Sequence, residues 1–340
     1  MDDGKGAGLD GWRMHGGRLE AARTAWPDAP APWLDLSTGI NPTPWPVERA
    51  GPIDWARLPD EEALDRLEAA AARQFGVAPE RVCALPGSEA GLRLLGVLGL
   101  PGPVRHQSSG YRTHAEAFEA SAPIAADDLV AESGRGGTIV LANPSNPDGS
   151  LHSPLALAAL SDRLAVAGGR LIVDEAFADA LPGSSLLPLI EAGGAQDAIV
   201  LRSFGKMYGL AGVRLGFMVA APEWLTGVRR RLGSWPVSAG AITIGTAAYR
   251  DDDWLAEMRE RLPQQRDRLD AVLSRHGLEP KGTCPLFRLV RTADAGALFG
   301  RLARRAILTR PFDYASDWLR IGLPGGETAL ARLDEALAHG

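Results

Sequence analysis

Lysine is nearly absent from this sequence. Of 36 basic residues only Lys5, Lys206 and Lys281 are lysines, and the rest are arginines. Chemistry that needs a primary amine therefore has three candidates, because a guanidinium stays protonated and does not form an imine. Cysteine is scarcer still. Cys83 and Cys284 lie far apart without metal-ligand spacing. That excludes a disulfide scaffold and gives no metal site, and Cys83, inside an apolar run, reads as buried filler. Long basic runs are missing. The densest cluster, Arg229-Arg230-Arg231, reads as a solvated helix face, and the net charge is −6, so no nucleic-acid partner is expected. No apolar stretch is long enough to span a membrane, and Met1 to Leu9 is polar and Gly-rich rather than signal-like. The expected location is the cytoplasm. Neither a P-loop nor a Gly-x-Gly-x-x-Gly turn follows a strand, which disfavours nucleotide-cleaving and dinucleotide enzymes. No repeat or low-complexity segment occurs.

What is present is ordinary for a soluble globular chain: 340 residues, 45% apolar and 23% charged. The length suits a large α/β domain with a smaller companion. Strand and helix patterns alternate. Pro59-Asp60 opens a helix (Leu64, Leu67, Ala71, Phe75) that closes at Gly76. Arg81–Leu85 reads as a strand, followed by a helix with Leu92, Leu95 and Leu98. Thr138–Ala142, Arg170–Val173, Ala198–Leu201 and Gly216–Val219 read as further strands, with a helix over Leu155–Ala167. Continuous apolar strands between helices predict a mostly parallel sheet covered on both faces. From about Pro222 helices dominate, including Trp254–His276. Short strands at Phe287–Val290, Ala306–Thr309 and Leu319–Gly322 follow, and a helix over Glu327–Ala338 closes the chain. The expected division is an arm over residues 1–49, a large domain over 50–225, and a small α+β domain over 226–340 that the arm joins.

Open α/β sheets bind ligands beyond the carboxyl ends of their strands. Gly87-Ser88-Glu89 leaves a strand and opens a helix, where free N–H groups suit a phosphate. Asn143-Pro-Ser-Asn146-Pro-Asp-Gly149 follows the next apolar strand and otherwise reads as a turn. Asp174 closes a strand, where a buried carboxylate calls for a cation or a cap. Ser203, Lys206 and Arg214 surround a Gly-rich stretch after Ala198–Leu201. Lys5 sits in the polar N-terminus and Lys281 between Pro280 and Gly282, a turn context. Each feature alone reads as structural. Together they supply an amine, an acid, an amide and a phosphate cup, the four things pyridoxal phosphate needs.

In that ordered set the chain resembles the fold-type I aminotransferases, α/β enzymes that use pyridoxal 5′-phosphate. Asn143-Pro-Ser-Asn146-Pro-Asp-Gly149 is similar to the family's Asn-Pro-x-Asn-Pro-x-Gly, which implies that Asn146 meets the cofactor's phenolic oxygen. Asp174-Glu-Ala-Phe177 resembles the strand-end segment whose aspartate binds the pyridine nitrogen. Ser203-Phe-Gly-Lys206 with Arg214 resembles the Schiff-base segment, whose serine and arginine hold cofactor phosphate. Tyr111 matches the ring-stacking aromatic, and Arg320 the arginine that binds the substrate's α-carboxylate. Two positions depart from the pattern. Phe177 replaces a tyrosine that donates to the cofactor oxygen, which leaves Asn146 as the main partner there and implies a shifted imine pKa. Leu58 replaces a tyrosine that reaches the neighbouring subunit's cofactor phosphate. The family's site lies at a dimer interface, so the resemblance implies a homodimer.

His15-Gly-Gly17, followed by Leu34-Asp-Leu-Ser-Thr-Gly-Ile-Asn-Pro42, resembles the threonine-phosphate decarboxylase group within this family, a close relation of the histidinol-phosphate aminotransferases. The resemblance implies decarboxylation of L-threonine O-3-phosphate to (R)-1-amino-2-propanol O-2-phosphate for cobalamin synthesis. It implies that Arg310, with His15, binds substrate phosphate, and that Gly39 and Asn41 line the substrate side. A histidinol-phosphate-type aminotransferase is the alternative, since one bond rotation at the substrate's α-carbon separates the two outcomes. A cofactor-binding protein without catalysis is the reading from another class, and the lack of any DNA-binding module argues against it.

Overall fold

The computed structural model describes residues 9–12 and 15–338, and Lys5 lies outside the described residues. These residues form two compact units. The large unit holds Pro44–Asn146 and Ser150–Arg259, and the small unit the chain up to Thr43, Pro147–Gly149 and everything from Glu260. Numbered along the chain, the strands are β1 (Leu34–Asp35), β2 (Val82–Leu85), β3 (Val104–Gln107), β4 (Ala122–Ile124), β5 (Thr138–Ala142), β6 (Arg170–Asp174), β7 (Ile199–Ser203) and β8 (Gly216–Val219). The remaining strands are β9 (Pro280–Lys281), β10 (Phe287–Arg291), β11 (Ile307–Leu308), β12 (Arg310–Pro311) and β13 (Trp318–Gly322).

The large unit is built on a seven-stranded sheet of order β2-β8-β7-β6-β5-β3-β4. β8 runs antiparallel to both neighbours, and the other pairings are parallel. The expected mostly parallel sheet is therefore present. Its central strands carry Val140, Leu171, Ile172, Val173, Val200 and Leu201, all with no exposed surface. Burying each such side chain contributes about 1.5–3 kcal/mol relative to exposure. The helix Glu61–Phe75 begins after Asp60, places Glu61 and Glu62 at its positive end, and stops where Gly76 turns left-handed (φ 69°). The helix expected to carry Leu98 ends earlier, at Leu95, and the chain runs on through Leu98 in tighter turns, with Gly96 N, Val97 N and Leu98 N donating to the carbonyls three residues before them.

Two strands escape a hydropathy reading. β3 carries Arg105 and Gln107 on its buried positions. Arg105 is accommodated because its Nη1 donates to Glu132 Oε2 at 2.7 Å and to the Glu132 carbonyl at 2.9 Å. β4 is three residues long, partly exposed, and contains Pro123, as suits an edge.

In the small unit, β12-β13-β10-β9 form a four-stranded antiparallel sheet. β1 pairs in parallel with β11, with Leu34 opposite Ile307 and Asp35 opposite Leu308. The helix Ala295–Arg304 buries Leu298, Phe299 and Leu302, and Phe299 meets Trp12 and Trp26 at ring distances of 5.9 and 5.8 Å. The aromatic contacts fix the arm's first described turn, Leu9–Trp12. Among the described residues no helix is long and apolar enough to cross a membrane.

Candidate active site

Strands β2, β3, β5, β6 and β7 run in one direction, so their carboxyl ends share one edge of the sheet. Gly87 follows β2, Tyr111 follows β3, Asn146 follows β5, Asp174 ends β6 and Ser203 ends β7. The sheet therefore gathers residues scattered over more than a hundred positions onto one rim. Open α/β sheets place ligands there because the strand ends and helix starts leave backbone groups available.

The anion end of this rim is built by close approach. Gly87 has φ 95°, and a Cβ there would lie 2.7 Å from Arg214 Nη2. A Cβ on Gly216 would lie 2.8 Å from the Gly87 carbonyl carbon. Only glycine lets the β2 turn, β8 and the Arg214 guanidinium approach this closely. Arg214 itself is left-handed (φ 56°), an uncommon conformation for a side-chain-bearing residue that the exit into β8 imposes. Gly216 is the register partner of Ser203, so Arg214, Ser203 and the start of the helix Ser88–Leu95 are held together. The Glu89 carboxylate is engaged by Arg93, at 3.2 Å from Nε and Nη2, so Glu89 offers this rim its backbone N–H.

The acid end is Asp174. Its Oδ1 accepts from Ala176 N at 3.1 Å, and its Oδ2 lies 3.1 Å from His114 Nε2. His114 is wholly buried, and its ring meets Tyr111 edge-on at 5.6 Å. Sequence patterns do not single out His114, although its place one helical turn after Tyr111 is the signal that points to it. The neighbouring Glu175 has a different task. Arg202 Nη1 donates to its Oε2 at 2.8 Å, Ser185 Oγ and Leu186 N donate at 2.6 and 2.7 Å, and Arg202 also pairs with Asp179. Of the two adjacent carboxylates, Glu175 is committed to a buried ion network and Asp174 to the rim.

Lys206 lies in the turn of helix Phe204–Met207 directly after β7, and a Cβ on Gly205 would come 2.7 Å from Ala211 Cα, so the turn is tightly folded. Its Nζ is 5.7 Å from the centre of the Phe177 ring. Phe177 thus presents an apolar face to the amine where a tyrosine would present a hydroxyl. Within the large unit Lys206 is the only lysine. Asn146 is half-buried, and Leu58 is exposed.

His15, Gly39, Asn41, Arg310 and Arg320 belong to the small unit. Arg310 and Arg320 are register partners across β12 and β13, and both are buried. Two guanidinium groups buried opposite each other repel, and such a pair is favoured by an anion between or beside them. Burial, and then Arg310, pulls the Arg320 pKa down to about 9. Arg320 Nη2 donates to the Ser37 carbonyl at 2.7 Å. Asn41 is buried and its Oδ1 accepts from Thr43 N at 2.9 Å, while His15 is exposed and Gly39 buried.

The residues present fit pyridoxal phosphate: a glycine cradle packed on an arginine, a buried carboxylate oriented by two donors, and one amine on the same rim. The model of class I and II aminotransferases matches residues 47–338. The chain belongs to that family. As a class I and II family member it is 40% identical over 332 residues to a threonine-phosphate decarboxylase of Pseudomonas aeruginosa, covering 95% of this chain and 96% of that protein. It is 39% identical to the threonine-phosphate decarboxylase of a Sinorhizobium species, covering 96% of this chain and 98% of that protein. A histidinol-phosphate aminotransferase of Chromohalobacter salexigens is 33% identical, covering 89% of this chain and 92% of that protein. Among solved structures, the histidinol-phosphate aminotransferase of Sinorhizobium meliloti in complex with pyridoxal-5′-phosphate shares the fold with a TM-score of 0.81, covering 99% of this chain and 98% of that one, at 24% identity. The L-threonine-O-3-phosphate decarboxylase of Porphyromonas gingivalis gives a TM-score of 0.75 at 17% identity, covering 90% of this chain and 98% of that one.

Proposed function

We propose that this family member is a pyridoxal-phosphate-dependent decarboxylase that converts L-threonine O-3-phosphate to (R)-1-amino-2-propanol O-2-phosphate, a step toward cobalamin. The observation that carries this reading is the 40% and 39% identity to threonine-phosphate decarboxylases over nearly the whole chain, against 33% for the aminotransferase relative.

When bound, pyridoxal phosphate supplies a conjugated ring that accepts the electrons of whichever bond at the substrate's α-carbon stands perpendicular to it. The protein's residues do the rest. In this reading Lys206 would hold the cofactor through its Nζ, and the same amine would carry the proton that returns to the substrate's α-carbon. Asp174, oriented by Ala176 N–H and His114, keeps the ring nitrogen protonated, as an adjacent carboxylate does. Arg214, Ser203 and the N–H groups of Gly87, Ser88 and Glu89 hold the cofactor's phosphate. Asn146 donates to its phenolic oxygen, and Tyr111 covers the ring. Arg320 binds the substrate carboxylate, and Arg310 with His15 binds the substrate phosphate. Gly39 and Asn41 line the substrate side. Which group at the substrate's α-carbon Arg320 and its neighbours hold in place would decide the outcome: loss of the carboxylate would give decarboxylation, and loss of the α-hydrogen transamination.

The second reading, a histidinol-phosphate-type aminotransferase, is favoured by the 33% identity to such an enzyme over most of the chain. In both readings the enzyme works as a cytoplasmic homodimer. Trp55, Leu58 and Trp235, exposed in the large unit, support the dimer, which light scattering tests. The two functions separate in one assay. Cofactor-loaded protein given L-threonine O-3-phosphate and no keto acid should release carbon dioxide over many turnovers and form the amine product. No release, with transamination of histidinol phosphate once 2-oxoglutarate is added, would replace the first reading by the second.

A further inference from the structure

The His15-Gly-Gly17 turn and Arg320 meet at one residue that the site as described does not use. Leu36 N donates to the Leu308 carbonyl at 2.7 Å, and the Leu36 carbonyl accepts from Gly322 N at 2.7 Å. The chain is therefore pinned between the β11 and β13 segments immediately before Ser37. Ser37 is buried and all of its polar groups are engaged. Its N–H and its hydroxyl donate to Asp35 Oδ1 at 2.9 and 2.5 Å. Its hydroxyl oxygen accepts from Gly17 N at 2.8 Å, and its carbonyl accepts from Arg320 Nη2 at 2.7 Å. Because Asp35 takes the only hydroxyl proton, the oxygen's lone pair is the group that faces Gly17, and the polarity of the contact is fixed.

The two glycines of the turn are explained by the same contact. A Cβ on Gly16 would lie 2.9 Å from both the carbonyl carbon and the Oγ of Ser37, and Gly17 is left-handed at φ 80°. The arm can sit this close only because both positions are glycine.

We propose that Ser37 is a positioning residue that couples the His15 turn to Arg320, so that grip on the substrate's phosphate and on its carboxylate is set through one buried hydroxyl. This rests on the reading of His15 and Arg320 as substrate ligands. Ser37 touches no reacting atom. Removing its hydroxyl releases Gly17 N–H and with it the position of His15, while the carbonyl that receives Arg320 stays, held on the Asp35 side by the Ser37 N–H alone.

The test measures KM and kcat of the cofactor-loaded enzyme on L-threonine O-3-phosphate for Ser37→Ala, Ser37→Thr, Gly16→Ala, His15→Ala and the His15→Ala/Ser37→Ala pair. Loss of a hydrogen bond that positions a charge-binding group predicts that Ser37→Ala raises KM about tenfold, with kcat within about twofold. Gly16→Ala, which disturbs the same contact from the arm side, should raise KM likewise, and Ser37→Thr, which keeps the hydroxyl, should restore most of it. Residues acting through one contact are non-additive, so the double variant should bind no more than about twofold worse than His15→Ala. An unchanged KM in Ser37→Ala and Gly16→Ala overturns the proposal, as do effects of Ser37 and His15 that multiply. A wild type inactive on L-threonine O-3-phosphate but active on histidinol phosphate with 2-oxoglutarate fails the decarboxylase reading alone. The KM of the same variants for histidinol phosphate then supports or overturns the role of Ser37 by the same criteria.

Discussion

His114 Nε2 lies 3.1 Å from Asp174 Oδ2, and both groups are buried. The contact crosses 60 positions of sequence and joins the short helix Thr113–Glu116, which follows β3, to the end of β6. With Ala176 N–H on the other oxygen, it holds the carboxylate plane in one orientation. A hydrogen bond to a charged group contributes about 1.5–3 kcal/mol, or roughly ten- to a hundredfold in a rate that depends on it. His114→Ala should therefore lower kcat by about that factor, and Asp174→Asn by more, with some cofactor still bound in each. Steady-state kinetics with cofactor absorbance measures both. A wild-type rate in Asp174→Asn would remove that residue from the site.

Lys206 is the only lysine of the large unit, so no neighbouring amine takes over its task. Lys206→Ala should abolish turnover and leave the cofactor removable by dialysis. Borohydride treatment followed by peptide mass spectrometry should label Lys206 in the wild type and no lysine in the variant. Undiminished turnover would refute the covalent assignment.

Arg310 and Arg320 share a register position, yet they are assigned different anionic groups of the substrate. Arg310→Ala should weaken L-threonine O-3-phosphate at least about tenfold more than unphosphorylated L-threonine, because a charge-assisted contact contributes about 1.5–3 kcal/mol. Competition by each compound reads the difference. Equal losses on both compounds would mean that Arg310 does not read the phosphate.

Burial pushes the thiols of Cys83 and Cys284 up from 9.0 to about 12. A folded-state pKa above the unfolded value means that the unfolded chain loses its thiol protons first. This contribution to stability is fully present below pH 9 and is lost as pH rises toward about 12. The melting temperature should fall across that window, and less steeply in a Cys83→Ala/Cys284→Ala variant. Neither thiol should react with a chromogenic disulfide reagent until the protein unfolds. Stoichiometric labelling of native protein would contradict this.

Much of the fold was legible because its causes are local. Thr138–Ala142 and Gly216–Val219 are strands at the expected bounds, since unbroken apolar runs flanked by turn residues have few other options. The helix after Asp60 ends at Gly76 for the same kind of reason. β3 was not legible, because its buried Arg105 depends on Glu132, 27 residues away, and no local pattern announces that pairing.

The same division runs through the site. The sequence by itself determined which groups are available: one lysine in the large unit, an aspartate at a strand end, an amide in an Asn/Pro turn, and two arginines near the C-terminus. Their chemistry is carried by residue type, and scarcity or motif picks them out. Only the tertiary structure decided what holds them. The order of the sheet brings His114 to Asp174, Arg202 takes Glu175 out of contention, and Ser37 meets Arg320 across 283 positions. Hydrogen bonds of that span are set by how strands and turns pack, and packing depends on the whole chain rather than on the residues beside each partner.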